Sequence, residues 1–285
     1  MSQLPNMPSE TAFRMPRDAC DTHCHIFGPQ SQFPFSPRRS YTPAEHPESV
    51  LAEMHRDLGI ERCVLVQPAA HGFDNSAMLD AISKDPVHRR GVVLAEPDLN
   101  LSMLRQWHEA GIRGIRFNFI ARLGGLPEES FFLRTGELAR EAGWHLILHV
   151  GPEELLQSEN LLSKLEVPFV IDHMARLDLS LGLGQPAMLA LERLASVKHC
   201  WLKVSGADRL CPAPFHAALP VMQRLAELAP DRILWGTDAP HPNALYPSKE
   251  TELVSLLPLA FPDIQIQEKL LVTNPALLYG FGHTA

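Results

Sequence analysis

Short runs of apolar and β-branched residues alternate along the chain with longer segments in which apolar residues recur every three to four positions. The short runs predict buried strands of a parallel sheet, and the longer segments predict amphipathic helices between them. The pattern predicts eight strands, at residues 20–27, 63–67, 91–95, 114–119, 144–150, 169–173, 201–205 and 233–237.

The helical segments fall between these strands, near residues 49–58, 75–84, 101–110, 129–141, 153–165, 186–196 and 215–228, with a final helix or pair of helices over 249–278. Eight strands that alternate with helices over about 250 residues are typical of a closed (β/α)8 barrel rather than an open doubly wound sheet. We therefore expect an α/β protein with a single (β/α)8 TIM barrel domain over residues 1–285.

Two segments lack this periodicity. Residues 1–17 are polar and contain proline, and we expect them to be poorly ordered. Residues 28–47 are rich in proline and serine and follow the first strand. Loops of this length in compact domains are either surface loops or active-site lids, and we expect this one to lie over the active site.

The composition narrows the classes of partner. Of the 285 residues, 45% are hydrophobic and 20% are charged, which is the balance of a globular protein, and the net charge is -8. An acidic chain is poorly suited to nucleic acid or to an anionic membrane, and nowhere do about 18 apolar residues follow one another. The five cysteines are scattered without CxxC spacing. We therefore expect a cytoplasmic protein with neither nucleic-acid nor membrane partners, and the sequence leaves the oligomeric state open.

The strongest chemical signal is the pair His23 and His25 at the end of the first predicted strand. Side chains alternate between the two faces of a strand, so both imidazoles should point into the barrel mouth, where active sites of this fold lie. The ends of strands five, six and eight carry His149, His173 and Asp238. One HxH pair alone is a weak signal, but four such positions at one mouth predict an active site.

This order of residues, with HxH on strand one, histidines on strands five and six and an aspartate on strand eight, resembles the amidohydrolase superfamily. Longer segments resemble its 2-pyrone-4,6-dicarboxylate lactonase group, namely DTHCHIFGP, QFPFSP, GIRGIRFNF, VIDHMARLD, DRILWGTDAPHPN and LVTNPALLYGF. The resemblance covers nearly the whole chain. It implies a hydrolase that opens the ring ester of a small anionic lactone such as 2-pyrone-4,6-dicarboxylate, in aromatic or sugar-acid catabolism.

In a hydrolysis of this kind, we expect Asp238 to act as general base on water. The side chains of His23, His25 and His173 would then donate hydrogen bonds to the developing oxyanion, or hold a metal that polarises the carbonyl.

Arginines predict the substrate class. Arg116, Arg122, Arg176 and Arg209 lie at or just beyond the ends of strands four, six and seven of an otherwise acidic chain. A guanidinium binds a carboxylate through two parallel charged hydrogen bonds, so together these residues predict a carboxylate site. Their positions match the substrate arginines of the lactonase group, and the resemblance also implies a substrate contact for Tyr41. His241 is expected either to line the pocket or to shape its turn.

Two departures from the superfamily concern the metal. The end of strand four supplies Arg116 and Asn118 instead of a lysine or acid that could bridge two ions, so a binuclear centre is not expected. The resemblance implies a metal-free enzyme with a tyrosine on strand five, where this chain has His149. A set of His23, His25, His149 and Asp238 would suit one Zn2+. The sequence therefore leaves two alternatives open, no cofactor or one zinc ion, and without zinc His149 would contact the substrate.

Other functions also fit the pattern. A hydrolase or isomerase of a sulfonated muconolactone or of a sugar-acid lactone would need the same basic site. A mononuclear metal-dependent decarboxylase would share the histidines and the aspartate, but Arg122 beside Arg116 suits a dicarboxylate that is retained. A non-catalytic protein that binds an acidic metabolite would not require a potential base surrounded by three histidines.

Overall fold

The computed structural model describes residues 13–282 and shows eight parallel strands that pair in consecutive order, from β1 to β8. This confirms the predicted barrel. The strands are β1 (Cys20–Cys24), β2 (Arg62–Val66), β3 (Arg89–Leu94), β4 (Ile112–Asn118), β5 (His145–His149), β6 (Phe169–Ile171), β7 (Cys200–Lys203) and β8 (Ile233–Leu234).

Helices follow the strands and pack against the outer face of the barrel. They are α1 (Glu48–Leu58), α2 (Ser76–Lys84), α3 (Leu101–Glu109), α4 (Glu129–Glu141), α5 (Pro152–Leu162), α6 (Pro186–Ala195), α7 (Leu219–Leu228), α8 (Glu250–Ala260), α9 (Ile264–Glu268) and α10 (Asn274–Tyr279). The last predicted helical segment is thus three helices, and a π-helical turn at Lys269–Thr273 joins α9 to α10. No helix among residues 13–282 has the length and apolarity needed to cross a membrane.

The segments without periodicity have the following structure. Phe13 and Met15 pack against the hydrophobic core, and the rest of the predicted N-terminal segment, residues 1–12, lies outside the described residues. The loop after β1 contains no helix or strand, but Phe33 and Phe35 within it are buried. It is held to the barrel by a bridge between Phe27 and His46.

The barrel closes between β8 and β1 through an irregular junction. Thr22 N donates to Trp235 O over 3.0 Å, and an isolated parallel bridge joins Cys24 to Ala239. A side chain at Gly236 would collide with β1, because a Cβ there would lie 2.6 Å from His23 N. Glycine at this position therefore lets the end of β8 approach the strand that carries the two histidines.

A β-bulge in β1 decides which of its side chains face inward. Asp21 pairs with Cys63, yet Cys24 pairs with Leu65, so three steps along β1 oppose two steps along β2. The extra residue shifts the alternation by one position. Cys20 therefore points into the barrel with the inner residues of β2, and His23 and His25 also point inward.

The interior of the barrel is apolar at its amino-terminal end. One buried cluster combines inward-facing strand residues with side chains of the C-terminal segment, namely Cys20, Val64, Val66, Val92, Ile147, Val170, Trp201, Leu234, Ala276, Tyr279 and Phe281. The fully buried ring of Tyr279 shows that α10 closes this end. The guanidinium groups of Arg62 and Arg90 also lie at this end, over the Phe281 ring, whereas the predicted site residues lie at the opposite, carboxyl-terminal mouth.

Asp21 fixes the junction of β1 and β8 from the outer side of the barrel. Its carboxylate accepts hydrogen bonds from His23 N at 2.9 Å and from Thr237 N at 3.0 Å. His55 of α1 donates to the same carboxylate over 3.0 Å. Burial lowers the pKa of His55, but the hydrogen bonds and charges of Asp21 and Cys63 together outweigh burial and raise it to about 9.

We expect His55→Gln to lower the free energy of unfolding by up to about 3 kcal/mol, since a pKa of about 9 replaces the ordinary 6.5. A group whose pKa is raised on folding stabilises the folded protein fully at pH values below its unfolded-state pKa. This contribution is lost as the pH rises through its folded-state pKa. The difference between wild type and variant should therefore be largest below pH 6.5 and shrink towards pH 9. Urea unfolding at several pH values measures it, and a difference independent of pH would contradict an ion pair.

Candidate active site

Three histidines surround one carboxylate oxygen at the carboxyl-terminal mouth of the barrel. Asp238 Oδ1 lies 3.4 Å from His25 Nε2, 3.7 Å from His23 Nε2 and 3.8 Å from His173 Nε2. All four side chains are buried, with at most 2% exposure. The structure thus brings together the four residues that the sequence predicts to be catalytic.

Asp238 reaches this position because the chain after β8 leaves the strand conformation. Asp238 N donates to His23 O over 2.7 Å, and Asp238 has φ +62°, in the left-handed region. The predicted eighth strand is therefore too long, since it ends at Leu234 instead of residue 237. The turn at Asp238 directs its carboxylate across the mouth towards the histidines of β1.

His173 begins a strained turn. The four residues from His173 to Arg176 all have φ between +49° and +52°. Each L-residue in this region costs about 1–2 kcal/mol, and strain of this kind concentrates at functional sites. The predicted sixth strand, which extended to residue 173, therefore ends at Ile171. A contact of 2.9 Å between His173 Nδ1 and Ser205 Oγ holds the imidazole in place.

Hydrogen bonds define the proton on His25. Its Nδ1 lies 2.7 Å from Val66 O, which only accepts, so Nδ1 carries the hydrogen. In the neutral form of this ring, Nε2 carries the lone pair and faces Asp238 Oδ1. Two acceptors that face each other at 3.4 Å require a bridging hydrogen or cation between them.

The imidazoles of His23, His149 and His173 are uncharged at neutral pH. Burial lowers the pKa of His23 to about 4, despite the opposing effect of Asp172. Burial also lowers the pKa of His149 and of His173 well below the ordinary range. Neutral imidazoles can donate one hydrogen bond and accept another, which suits either a carbonyl oxygen or a metal ion.

Asp238 is ionised by its pairing with Arg209. The guanidinium of Arg209 donates through Nε to Asp238 Oδ2 over 2.6 Å, and its Nη2 donates to the same oxygen. Burial raises the pKa of Asp238, but Arg209 and the surrounding histidines lower it well below the ordinary value. This pairing occupies Oδ2 and leaves Oδ1 free of hydrogen-bond partners within the described structure.

A small pocket with a cavity volume of about 20 Å³ opens beside this cluster. It contains five of the residues predicted to bind substrate, together with the amide side chains of two asparagines: Tyr41, Arg116, Arg122, His149, Arg209, Asn118 and Asn243. Tyr41 comes from the long loop after β1, and its ring packs edge-on against Phe27 at 6.5 Å between centroids. The loop therefore forms one wall of the pocket.

Arg116 is the most unusual cation of this pocket. It lies on β4 with 6% exposure, and its Nε has no hydrogen-bond partner. Within residues 13–282 no carboxylate lies at ion-pair distance from it, and burial lowers its pKa. Buried charges are normally paired, so this guanidinium points to an anion as its natural ligand.

The remaining predicted residues occupy different positions. Arg122 is exposed at the rim of the pocket. Arg176 does not line the pocket, although Arg209 and Arg122 are near enough to lower its pKa further after burial, to about 10. His241 lies between Asp208 Oδ2, at 3.2 Å, and Glu250 Oε1, at 3.3 Å. These carboxylates raise its pKa to about 9, and this pairing fits the alternative that His241 shapes its turn.

Sequence reasoning missed two buried charged residues beneath the histidines. Asp172 and Lys203 are both fully buried, and Lys203 Nζ lies 2.9 Å from Asp172 Oδ1. Lys203 also lies 3.2 Å from His23 Nδ1. The available signal was a lysine inside the apolar run CWLKV, since lysine is almost never fully buried without a partner.

The residues present fit a single metal ion. The nearest nitrogen or oxygen atoms of His23, His25 and Asp238 all lie within 4.8 Å of one another. His23 Nε2 and Asp238 Oδ1 are buried without hydrogen-bond partners. His149, the predicted fourth ligand, is not in this group, and its Nδ1 lies 3.3 Å from Asn118 Oδ1.

Known proteins are similar to this chain over nearly its whole length. The chain is 37% identical to the 4-sulfomuconolactone hydrolase of Rhizobium radiobacter over 276 residues, which cover 94% of this chain and 92% of the relative. It is 36% identical to the 2-pyrone-4,6-dicarboxylate hydrolase of Comamonas testosteroni over 285 residues, which cover 95% and 93% of the two chains.

A crystal structure from Acinetobacter baumannii, described as a probable 2-pyrone-4,6-dicarboxylic acid hydrolase with citric acid bound, superposes with a TM-score of 0.82. The two chains are 26% identical, and the match covers 93% of this chain and 100% of the other. A family model described as amidohydrolase matches residues 20–281. The chain therefore belongs to the amidohydrolases.

Proposed function

We propose that this protein hydrolyses the ring ester of a small lactone that carries at least two anionic groups. The observation that carries the proposal is the unpaired, buried guanidinium of Arg116 in a pocket beside Asp238 and three histidines. Two relatives are named for lactones of this kind, one a dicarboxylate and one sulfonated. The citric acid bound by a similar structure is also a polycarboxylate.

The arginines select for charge. Arg116 at the inner wall and Arg122 at the rim can each bind a carboxylate or sulfonate through two charged hydrogen bonds. Tyr41 from the loop can donate a further hydrogen bond. Because the whole chain has a net charge of -8, a local cluster of cations is needed to attract and orient a dianion.

Asp238 and His25 can position the attacking water. A water molecule between Asp238 Oδ1 and the lone pair of His25 Nε2 would donate one hydrogen to each acceptor and direct its own lone pair at the ring carbonyl. Asp238 would take the proton as water attacks, and return it to the ring oxygen when the ester bond breaks. The imidazoles of His23 and His173 lie where a developing oxyanion could accept hydrogen bonds.

Arg209 links substrate binding to the strength of this base. Paired with Arg209, the Asp238 carboxylate is too acidic to be an efficient base at neutral pH. A substrate carboxylate that approaches Arg209 would share the guanidinium and raise the pKa of Asp238 towards its ordinary value. The bound dianion would thereby activate the group that deprotonates water.

No metal is required in this proposal. If one Zn2+ is bound, His23, His25 and Asp238 would hold it, and it would polarise the ester carbonyl as a Lewis acid. We expect ring opening to persist after exhaustive chelation. We also expect His149→Tyr to leave the zinc content unchanged, because His149 lies outside the candidate ligand group.

Elemental analysis and assays with and without chelator measure both expectations. Loss of turnover on chelation, with recovery on addition of zinc, would show that a metal is required. Loss of bound zinc in His149→Tyr would identify His149 as a fourth ligand.

A lactone panel tests the proposed reaction. Purified protein is mixed with a dicarboxylate pyrone, a sulfonated muconolactone, a sugar-acid lactone and a neutral lactone in ¹⁸O-labelled water. Hydrolysis predicts that the anionic lactones open and that ¹⁸O enters a product carboxylate, whereas the neutral lactone is unreactive. An isomerised product without ¹⁸O, release of carbon dioxide, or binding without turnover would each contradict the proposal.

A further inference from the structure

Lys203 contacts three acceptors inside the barrel, directly beneath the active site. Its Nζ donates to Thr22 O over 3.1 Å, lies 3.2 Å from His23 Nδ1, and forms the ion pair of 2.9 Å with Asp172 Oδ1. The side chain is fully buried. A burial of this kind is costly, so a lysine here is expected to serve a specific purpose.

The ammonium group can donate hydrogen bonds to Thr22 O and to His23 Nδ1, and it forms an ion pair with Asp172. An ammonium group can only donate, so its contact with His23 Nδ1 requires a lone pair on that nitrogen. Asp172 Oδ1 also lies near His23 Nδ1, at 3.4 Å, but neither Asp172 oxygen accepts a hydrogen bond of acceptable geometry among the described residues. The geometry therefore favours donation from Lys203 to Nδ1 over donation from Nδ1 to Asp172. In a neutral imidazole, the hydrogen must then be on Nε2.

We propose that Lys203 is a positioning residue that holds His23 as the Nε2–H tautomer, which makes His23 a hydrogen-bond donor to the substrate and weakens it as a metal ligand. His23 Nε2 is buried without a partner and lies 3.7 Å from Asp238 Oδ1. A donor at this place faces the oxygen of a ring ester carbonyl. That last role rests on the proposed lactone hydrolysis, whereas the tautomer itself does not.

His23 and His25 then have opposite roles at the same carboxylate. His25 carries its hydrogen on Nδ1, bonded to Val66 O, so its Nε2 accepts a hydrogen bond. His23 carries its hydrogen on Nε2 and donates. One ring can hold the attacking water and the other can stabilise the oxyanion, although the two imidazoles stand only two residues apart in sequence.

The position of Asp172 indicates which hydrogen bond of His23 is prevented by Lys203. A histidine that binds metal through Nε2 commonly donates its Nδ1 hydrogen to a carboxylate, which fixes the ring and strengthens the ligand. Asp172 is placed for this role, 3.4 Å from His23 Nδ1. While Lys203 pairs with Asp172 and donates to His23, this carboxylate–histidine arrangement cannot form. Removal of Lys203 should therefore allow Asp172 to accept the Nδ1 hydrogen of His23.

The direct test is the tautomer of His23 in the substrate-free, chelated wild-type protein. Long-range ¹H–¹⁵N correlation spectra of histidine-labelled protein separate protonated from unprotonated ring nitrogens, and His23→Asn assigns the signals. We expect a protonated Nε2 and an unprotonated Nδ1. A protonated Nδ1 in the wild type would overturn the proposal, whatever the lactone assays show.

Two variants test the link to metal. In Lys203→Met we expect the His23 proton to move to Nδ1 and zinc affinity to rise about 10–100-fold, the range of such outer-shell effects. The control combines Lys203→Met with Asp172→Leu and so removes both charges. It should be at least as stable as Lys203→Met alone and should show no gain in zinc affinity. Calorimetric titration with ZnCl2 measures the affinity, and thermal unfolding checks the fold.

The same variants separate positioning from general electrostatics. If the zinc affinity rose equally in both variants, Lys203 would act through its charge alone, and the proposal would be wrong. We also expect kcat of Lys203→Met to fall about 10²–10³-fold with little change in KM, the cost of one oxyanion donor. A fall in activity with an unmoved His23 proton would likewise count against the proposal.

Discussion

Asp238→Asn is expected to lower kcat by at least 10²-fold, because an amide cannot take a proton from water. In the wild type, Oδ1 of Asp238 is the one oxygen of this side chain that Arg209 leaves free, and it faces all three imidazoles. The variant keeps a similar shape but lacks the proton acceptor. Steady-state assays on the most reactive lactone of the panel measure the loss.

Folding must be measured alongside, since the variant leaves Arg209 without its anionic partner. Loss of one member of a buried pair costs about 3–5 kcal/mol, so urea unfolding is used to normalise kcat to folded protein. Asp208→Asn is the matched control. It removes a fully buried carboxylate that pairs with His241 outside the histidine cluster, and kcat should change far less. Retention of a tenth of wild-type turnover in Asp238→Asn would exclude Asp238 as the base.

Arg116→Met is expected to have two effects of opposite sign. KM for a dianionic lactone should rise about 10–100-fold, because a charged hydrogen bond contributes about 1.5–3 kcal/mol. The free energy of unfolding should stay unchanged or increase, because the variant removes a buried guanidinium that has no anionic partner in the described structure. Arg122→Met at the exposed rim should also raise KM, but by a smaller factor.

Monoesters of the substrate identify the contact. Arg116→Met should raise KM strongly for the dianion and much less for the monoester that lacks the carboxylate bound by Arg116. Arg62→Met is the matched control, since Arg62 is equally buried but pairs with Asp18 at 3.1 Å at the amino-terminal end of the barrel. It should lose stability without any change in substrate preference. Equal losses on dianion and monoester would show that Arg116 is structural.

Local periodicity was sufficient to predict the order of the elements. Short apolar runs gave all eight strands, because strands of a barrel are buried on both faces, and repeats of three to four residues gave the helices between them, because such repeats place apolar side chains on one helix face. The ends of β6 and β8 were not predictable in this way. They depend on hydrogen bonds to other strands, such as Asp238 N to His23 O, and on the left-handed turn after Ile171.

The paired histidines show how a correct prediction can rest on incomplete reasoning. Simple alternation along β1 correctly placed His23 and His25 on the same face. It could not show that the bulge between Asp21 and Cys24 places that face inward together with Cys20. The bulge arises from the pairing with β2, which lies about 40 residues further along the chain.

The sequence by itself determined the barrel, the mouth at which the histidines and Asp238 meet, and three of the four arginines expected at the pocket. Only the tertiary structure decided which charges are paired: Arg209 with Asp238, Lys203 with Asp172, His241 with two carboxylates, and Arg116 with none. The physical reason is the separation in sequence over which each effect acts. Periodicity acts between neighbours in sequence, whereas ionisation and proton position depend on distances between residues as far apart as Lys203 and Thr22.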